Sequence, residues 1–427
     1  MGKTIIEKII QAHSDEPVAP GKIVWMGLDV RSARDFGGAN VVKNYQANYG
    51  DTPVADVGKT FFTFDCVVPA NNIPYAVNQH LARRWATGQG IQVYDVNAGI
   101  GSHVMIEVGL ALPGGTVVGT DSHLNILGAI GAFGQGMGDQ DIAFAFKAGK
   151  TWFEVPPTIK VTVKGELRHP CTPKDLTLAV LQVLGASGAL GKAIEFYGPA
   201  VEALDLPGRI TLSSMVTEMG GIVGLIPPSR AVLDYCRERS GRTDLQGLYA
   251  DPDAVYVEEV VVDITNLEPL VACPPKPDNV KTVREVAGLR VDSVFIGSCT
   301  NGRYEDLRLV ADLVRGKKIQ PWVMASIVPA THQVWEQILK DGTLQTLFDA
   351  GFIISNAGCG GCAAGQIGMT GDKEVQVGTG NRNFAGKQGP GDTYLASPLV
   401  AAWAALAGEI TVPKASGSLA PVGRGLG

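Results

Sequence analysis

No apolar run in the 427-residue sequence approaches the ~20 residues a membrane-spanning helix needs, so the chain reads as one that works outside the bilayer. The N-terminus alternates charges with aliphatics at helical spacing and lacks an apolar signal core or a cleavage site. Ile6 occupies the place where a myristoylation motif wants Ser or Thr. Cysteine is scarce and odd in number, 7 in all, which excludes a disulfide scaffold and fits a reducing cytoplasm. There is no basic excess either: the formal net charge is -6, which argues against nucleic acid as the main partner. Fixed-period repeats and low-complexity tracts are also missing.

What is present is the material of a packed globular protein: 45% hydrophobic residues, 18% charged residues and 54 well-dispersed glycines. A chain this long exceeds one ordinary core and is expected to divide. Strand-like runs at 91–96, 116–119, 158–163, 255–264, 293–296, 352–354 and 374–377 alternate with helix-like ones at 174–184, 230–239, 304–314 and 332–339. Such alternation predicts an α/β fold. Val155-Pro156-Pro157 reads as the break of a helical stretch before a strand, and the proline-rich segment 273–279 reads as a linker. Three units follow, at 1–156, 157–275 and 276–427, with a poorly packed glycine-rich tail from Val412.

Five polar motifs share one placement, directly after a strand-like run. They are Asn97 to His103, Thr120-Asp121-Ser122-His123, Gly297-Ser298-Cys299-Thr300-Asn301, Gly358-Cys359-Gly360-Gly361-Cys362, and Gly380-Asn381-Arg382-Asn383. In an open α/β sheet, ligands gather beyond the carboxyl ends of strands. Three thiolates with no obvious fourth would suit an iron–sulfur cluster with one open iron. Spacing alone leaves zinc or unligated core thiols equally open.

The other motifs divide in the same way. Asp121 and His123 form either a general acid/base pair, each such group worth ~10²–10⁴ in rate, or an ordinary cap on a strand-to-helix turn. His103 has the same two readings. Asn381 and Arg382 with Lys387 can hold a carboxylate or lie in a solvated loop. Glu218, in an apolar glycine-rich stretch, either pairs structurally or acts on substrate. Residues 128–138 do not have the spacing of a dinucleotide loop, so their glycines read as tight helix packing.

In order, Thr120-Asp121-Ser122-His123, Gly297-Ser298-Cys299-Thr300-Asn301, Gly358-Cys359-Gly360-Gly361-Cys362 and Asn381-Arg382-Asn383-Phe384 resemble the signatures of the aconitase superfamily. The nearest pattern is that of the large subunits of 3-isopropylmalate dehydratase and homoaconitase. The resemblance implies three α/β/α domains around a 4Fe–4S cluster held by Cys299, Cys359 and Cys362. It also implies a hydro-lyase acting on a small hydroxy di- or tricarboxylic acid. Asp65, His103, Asp121, His123 and Glu218 would be catalytic, and Ser122, Asn381, Arg382 and Lys387 would bind substrate. Solitary members of the family carry a further swivelling domain, whereas this sequence ends at Gly427, soon after Cys362. A separate small subunit is therefore expected to supply that domain.

The pattern is not matched everywhere. Cys66 stands where the family has histidine after Asp65, and Leu124 and Asn125 differ after the Asp-Ser-His motif. Ser214 replaces an asparagine, and Lys387 replaces an arginine. These departures keep a maleate, citraconate or dimethylmaleate hydratase, or a homoaconitase-like subunit, among the alternatives. A different class, an iron-sensing regulatory relative, is disfavoured by the intact acid/base set and the lack of a basic patch.

Overall fold

The structure, a computed structural model, describes residues 2–362 and 367–412; most of the expected glycine-rich tail lies outside the described residues. Among the described residues, eighteen strands form three larger sheets and one ribbon. The ribbon pairs β1 (Ile23–Gly27) with β7 (Lys150–Glu154) in antiparallel fashion. Between them in sequence lie β2 (Val30–Arg34), β3 (Thr60–Thr63), β4 (Gln92–Tyr94), β5 (Thr116–Gly119) and β6 (Phe133–Gly136). These five make an all-parallel sheet in the order β4-β3-β2-β5-β6. A second parallel sheet, in the order β10-β9-β8-β11, uses β8 (Thr158–Lys164), β9 (Ala193–Tyr197), β10 (Val223–Leu225) and β11 (Glu258–Asp263).

The third sheet runs β13-β12-β18-β17-β14-β15-β16. Its members are β12 (Leu270–Ala272), β13 (Val280–Thr282), β14 (Ser293–Gly297), β15 (Met324–Val328), β16 (Ile353–Ile354), β17 (Val375–Gly378) and β18 (Asp392–Ala396). β12 pairs antiparallel with β13 and β18, and the remaining pairs of this sheet are parallel. Parallel strands are covered on both faces and so need apolar side chains in nearly every position. β5 and β14, buried along their whole length, have that composition. Among the described residues, no helix is long and apolar enough to cross a membrane.

The expected α/β fold is present, with one difference of detail. Residues before Val155 are not helical: the helix Asp139–Ala148 ends at Gly149, in the left-handed conformation, and Lys150–Glu154 is a strand. Trp152 and Glu154 are exposed on alternate positions there, a period-two pattern that favours a strand over a helix. The glycines of 128–138 do serve close packing, between strands and the short 3₁₀ helix Leu124–Ile130. A Cβ on Gly128 would lie 1.9 Å from the Gly224 carbonyl oxygen, in β10, and one on Gly134 would lie 2.1 Å from that of Leu124.

The N-terminal helix Ile5–Ala12 buries Ile5, Ile6, Ile9 and Ile10 and starts with a capping box between Thr4 and Glu7. His13, just past its end, ties it to the turn between β1 and β2. Both ring nitrogens face acceptors: Nδ1 lies 2.8 Å from the Ile9 carbonyl and Nε2 lies 2.8 Å from Asp29 Oδ2. Two acceptors require an imidazolium. Burial opposes that charge, but the bonds to Asp29 and Ile9 outweigh it and the His13 pKa is raised. The stability it contributes is full below the unfolded value of ~6.5 and is lost as pH rises through the folded pKa. His13→Gln is therefore expected to lower the melting temperature more at pH 6 than at pH 8. Equal shifts at both pH values would show that the charge is not used.

Candidate active site and cysteine cluster

In the first and third sheets the strand order reverses at an internal strand: β2 lies between β3 and β5, and β14 lies between β17 and β15. Crevices open at the carboxyl ends of strands at such points. The end of β2 delivers Arg34, that of β5 delivers Asp121 and His123, and that of β14 delivers Cys299. The loop after β16 carries Cys359 and Cys362, and the loop after β17 carries Asn381 and Arg382. All these groups converge where one apolar cluster gathers Ile100 and Leu124, Ile210 and Val232, and Ala330 with Cys299 and Cys359.

Cys299 is aimed by local backbone strain. Gly297 and Ser298 both have positive φ, 144° and 69°, and the latter is unusual for a residue with a side chain. A Cβ on Gly297 would sit 2.3 Å from the Val328 carbonyl oxygen. The sharp turn puts Cys299 at the start of the short helix Ser298–Asn301. Gly360 leaves room for Phe295, whose ring carbon would lie 2.6 Å from an added Cβ. Cys299 and Cys359 are buried and Cys362 is half-buried beside them. Burial, together with the nearby Cys362 and Cys359, drives the Cys299 thiol well above its ordinary pKa. Burial likewise pushes Cys362 up to about 11, with Cys359 adding to the effect. Crowded thiols of this kind hold their protons until a metal displaces them.

Around the thiols the polar groups form two linked networks. In the first, Arg34 donates from Nε to Asp65 Oδ1 at 2.7 Å, from Nη1 to Asp121 Oδ1 at 2.8 Å, and from Nη2 to Cys359 Sγ at 2.6 Å. One buried guanidinium thus holds two buried carboxylates and a cysteine. Burial pushes Asp65 up to about 6 despite Arg34, with Asp35 and Asp121 adding to the rise. Burial also raises Asp121, but Arg34 and His123 outweigh it and its pKa is lowered. In the second network, Glu218 Oε1 faces His123 Nε2 at 3.1 Å and accepts from Arg382 Nε at 2.9 Å. Asp121 Oδ1 also accepts the His123 backbone N–H at 2.9 Å, which joins the two networks.

His103 lies inside the helix Gly101–Glu107, with Nε2 3.0 Å from the Cys299 carbonyl. A carbonyl only accepts, so Nε2 carries the proton. Burial, then Arg303, pulls the His103 pKa down to about 3, so the ring is neutral. Its Nδ1 is buried without a hydrogen-bond partner among the described residues, as is Glu218 Oε2. Two buried acceptors left bare beside three thiols suit a site built for a bound group.

Each expected site residue can now be located. Asp65, Asp121, His123, Glu218 and Arg382 meet in the two networks, and His103 joins through Cys299. Asn381 is buried and fully engaged: it donates to Ser214 Oγ at 2.8 Å and accepts from Thr300 Oγ1 at 2.7 Å and the Cys299 thiol at 3.2 Å. Ser122 Oγ accepts a long contact, 3.5 Å, from Arg382 Nη2. The charge of Lys387 acts on Cys362. Of the departures, Asn125 donates to Thr217 Oγ1 at 2.8 Å, and that hydroxyl donates to the Ser122 carbonyl at 3.1 Å.

Three groups escaped the sequence reading. Arg34 is one. Asp35 is another, and it accepts the backbone N–H groups of Asp65, Cys66 and Val67 at 2.9–3.0 Å. Lys174 is the third: fully buried, with its pKa pulled down to about 8 by burial, it donates to the carbonyls of Thr379 and Gly380 just before Asn381. A signal for Arg34 did exist, since it ends a strand as the other motifs do.

Comparison with known proteins agrees with this geometry. The family model for the aconitase family (aconitate hydratase) matches residues 7–408. A 3-isopropylmalate dehydratase large subunit of Methanopyrus kandleri is 41% identical over 97% of the chain and 99% of its own length. A homoaconitase large subunit of Thermus thermophilus is 42% identical over 97% of the chain and 98% of its own length. Among solved structures, Thermococcus kodakaraensis aconitase X in its holo-form shares the fold. Its TM-score is 0.50 at 13% identity, over 89% of each chain.

Proposed function

The chain belongs to the aconitase family and is a hydro-lyase, and from that premise we propose a large subunit of the 3-isopropylmalate dehydratase type. Its substrate would be a small hydroxy di- or tricarboxylic acid, dehydrated reversibly to an alkene. Cys299, Cys359 and Cys362 would hold a 4Fe–4S cluster. The donor set suits it: three buried or half-buried thiols in one cluster, with Cys66 a further buried thiol beside Cys359. When bound, the cluster supplies a Lewis acid that lets a substrate hydroxyl leave as water.

The chain's own residues would do the rest. Arg382, half-buried and already bonded to Glu218, is placed to take a substrate carboxylate in its planar fork. His123 and Glu218 share a hydrogen bond along which a proton can pass. His103 presents a bare Nδ1 lone pair that can accept a hydrogen bond or a proton. Asp121, kept ionised by Arg34, holds the turn that carries His123. A small subunit would close the site and complete the side-chain pocket, as the names of the relatives suggest.

The observation that supports this most is the meeting of the thiols with the His123–Glu218–Arg382 network at strand ends. The test is coexpression with a small-subunit partner, followed by a panel of hydroxy acids monitored for gain of alkene absorbance and of alkene diacids monitored for its loss. Turnover of 3-isopropylmalate above that of homocitrate, maleate, citraconate and dimethylmaleate is expected. Turnover of one of the others alone would reassign the substrate, and no change in alkene absorbance with any of them would overturn the activity. Homoaconitase-type action is the second reading, favoured by the equally similar Thermus thermophilus relative.

A further inference from the structure

Cys66 is not among the three expected ligands, yet it lies deep in the site. Its sulfur, the Cys359 sulfur and an Asp65 carboxylate oxygen all lie within 4.8 Å of one another. The backbones are fixed side by side as well. The Cys359 N–H donates to the Asp65 carbonyl at 2.9 Å, and the Cys66 N–H is held by Asp35 at 2.9 Å. Such a triad invites a metal reading. Arg34 opposes it, because its guanidinium already touches both Asp65 and Cys359 and would repel a divalent cation. Two neighbouring sulfurs on adjoining backbones remain, and side-chain rotation can bring them to the S–S bond length of ~2.05 Å.

We infer that Cys66 and Cys359 form a reversible disulfide in the cluster-free protein, which takes Cys359 out of the ligand set. The oxidant is a low-molecular-weight disulfide. The Cys359 thiolate attacks it, forming a mixed disulfide and releasing one thiolate. The Cys66 thiolate then attacks the Cys359 sulfur, breaks the mixed bond and releases the second. Two protein thiols are oxidised, one external disulfide is reduced to two thiols, and the two protons pass to those products. While the cluster is bound, Cys359 is engaged and the exchange is blocked. Cluster loss therefore frees Cys359 for the exchange, and a thiol reductant restores the site. The consequence for cluster loading rests on the proposed ligand role of Cys359; the bond itself does not.

The test uses cluster-free, full-length protein, reduced and then treated anaerobically with bis(2-hydroxyethyl) disulfide. Peptide mapping is expected to find a Cys66–Cys359 cross-link, reversed by dithiothreitol and absent from Cys66→Ser. Without reductant, the oxidised wild type should take up ferrous iron and sulfide at least about tenfold less than Cys66→Ser treated identically. Cys66→Ala, checked by circular dichroism, provides the same comparison should the serine variant misfold. Thiols that all remain alkylatable, or a link from Cys359 to Cys362 or Cys299 instead, would overturn the inference. Cluster uptake by neither reduced protein would overturn the ligand assignment while leaving a mapped Cys66–Cys359 bond standing.

Discussion

Arg34→Met is expected to destabilise the folded chain by about 3–5 kcal/mol, the range for removing one partner of a buried ion pair. Arg34 is bonded at once to Asp65, Asp121 and Cys359, and all four groups are buried. Methionine fills similar volume, so the loss would be electrostatic rather than a cavity. Asp65, already pushed up to about 6 by burial, would then take a proton to escape its isolation. The measurement is urea unfolding of wild type, Arg34→Met and the double variant Arg34→Met/Asp65→Asn. Part of the loss should return in the double variant, which removes one of the two buried carboxylates that Arg34 pairs and leaves Asp121 without its partner. A single-variant loss under about 1 kcal/mol, the scale of an exposed pair, would mean that Arg34 does not organise the site.

Glu218→Gln is expected to lower kcat by ~10²–10⁴, the contribution of a positioned acid/base group, with iron and sulfide content unchanged. Glutamine keeps the shape and can still accept from Arg382, but it cannot carry the charge that His123 and Arg382 share. Steady-state kinetics with the small subunit present, beside metal analysis of the same sample, separates the possibilities. A fall in kcat with a full metal complement supports a role in moving protons. A rise in KM alone would limit Glu218 to orienting Arg382.

The parts of the molecule legible in the sequence share one physical property. β5 and β14 are buried on both faces, so they appear as uninterrupted apolar runs, and the polar residues that follow them stand out. β2 has the same burial but the sequence Val30-Arg31-Ser32-Ala33-Arg34. Arg31 is satisfied internally by the Leu28 and Asp56 carbonyls and the Thr60 hydroxyl. A strand whose charges are neutralised by its neighbours looks like a surface segment from sequence alone, so Arg34 stayed hidden. The ribbon strand β7 was missed for the opposite reason: three of its side chains, Lys150, Trp152 and Glu154, are exposed, and the run is short. Cys66 was visible as a departure, but its contact with Cys359 depends on a backbone bond between segments far apart in the chain.

Metal analysis of the anaerobically purified chain, beside Cys299→Ser, Cys359→Ser and Cys362→Ser, bears most directly on the three-thiolate site. Ligation by all three predicts iron and acid-labile sulfide in equal amounts, a brown colour that air bleaches, and loss of both elements in every variant. Zinc without sulfide in the wild type, or a full iron and sulfide complement after any one of the three replacements, would contradict it.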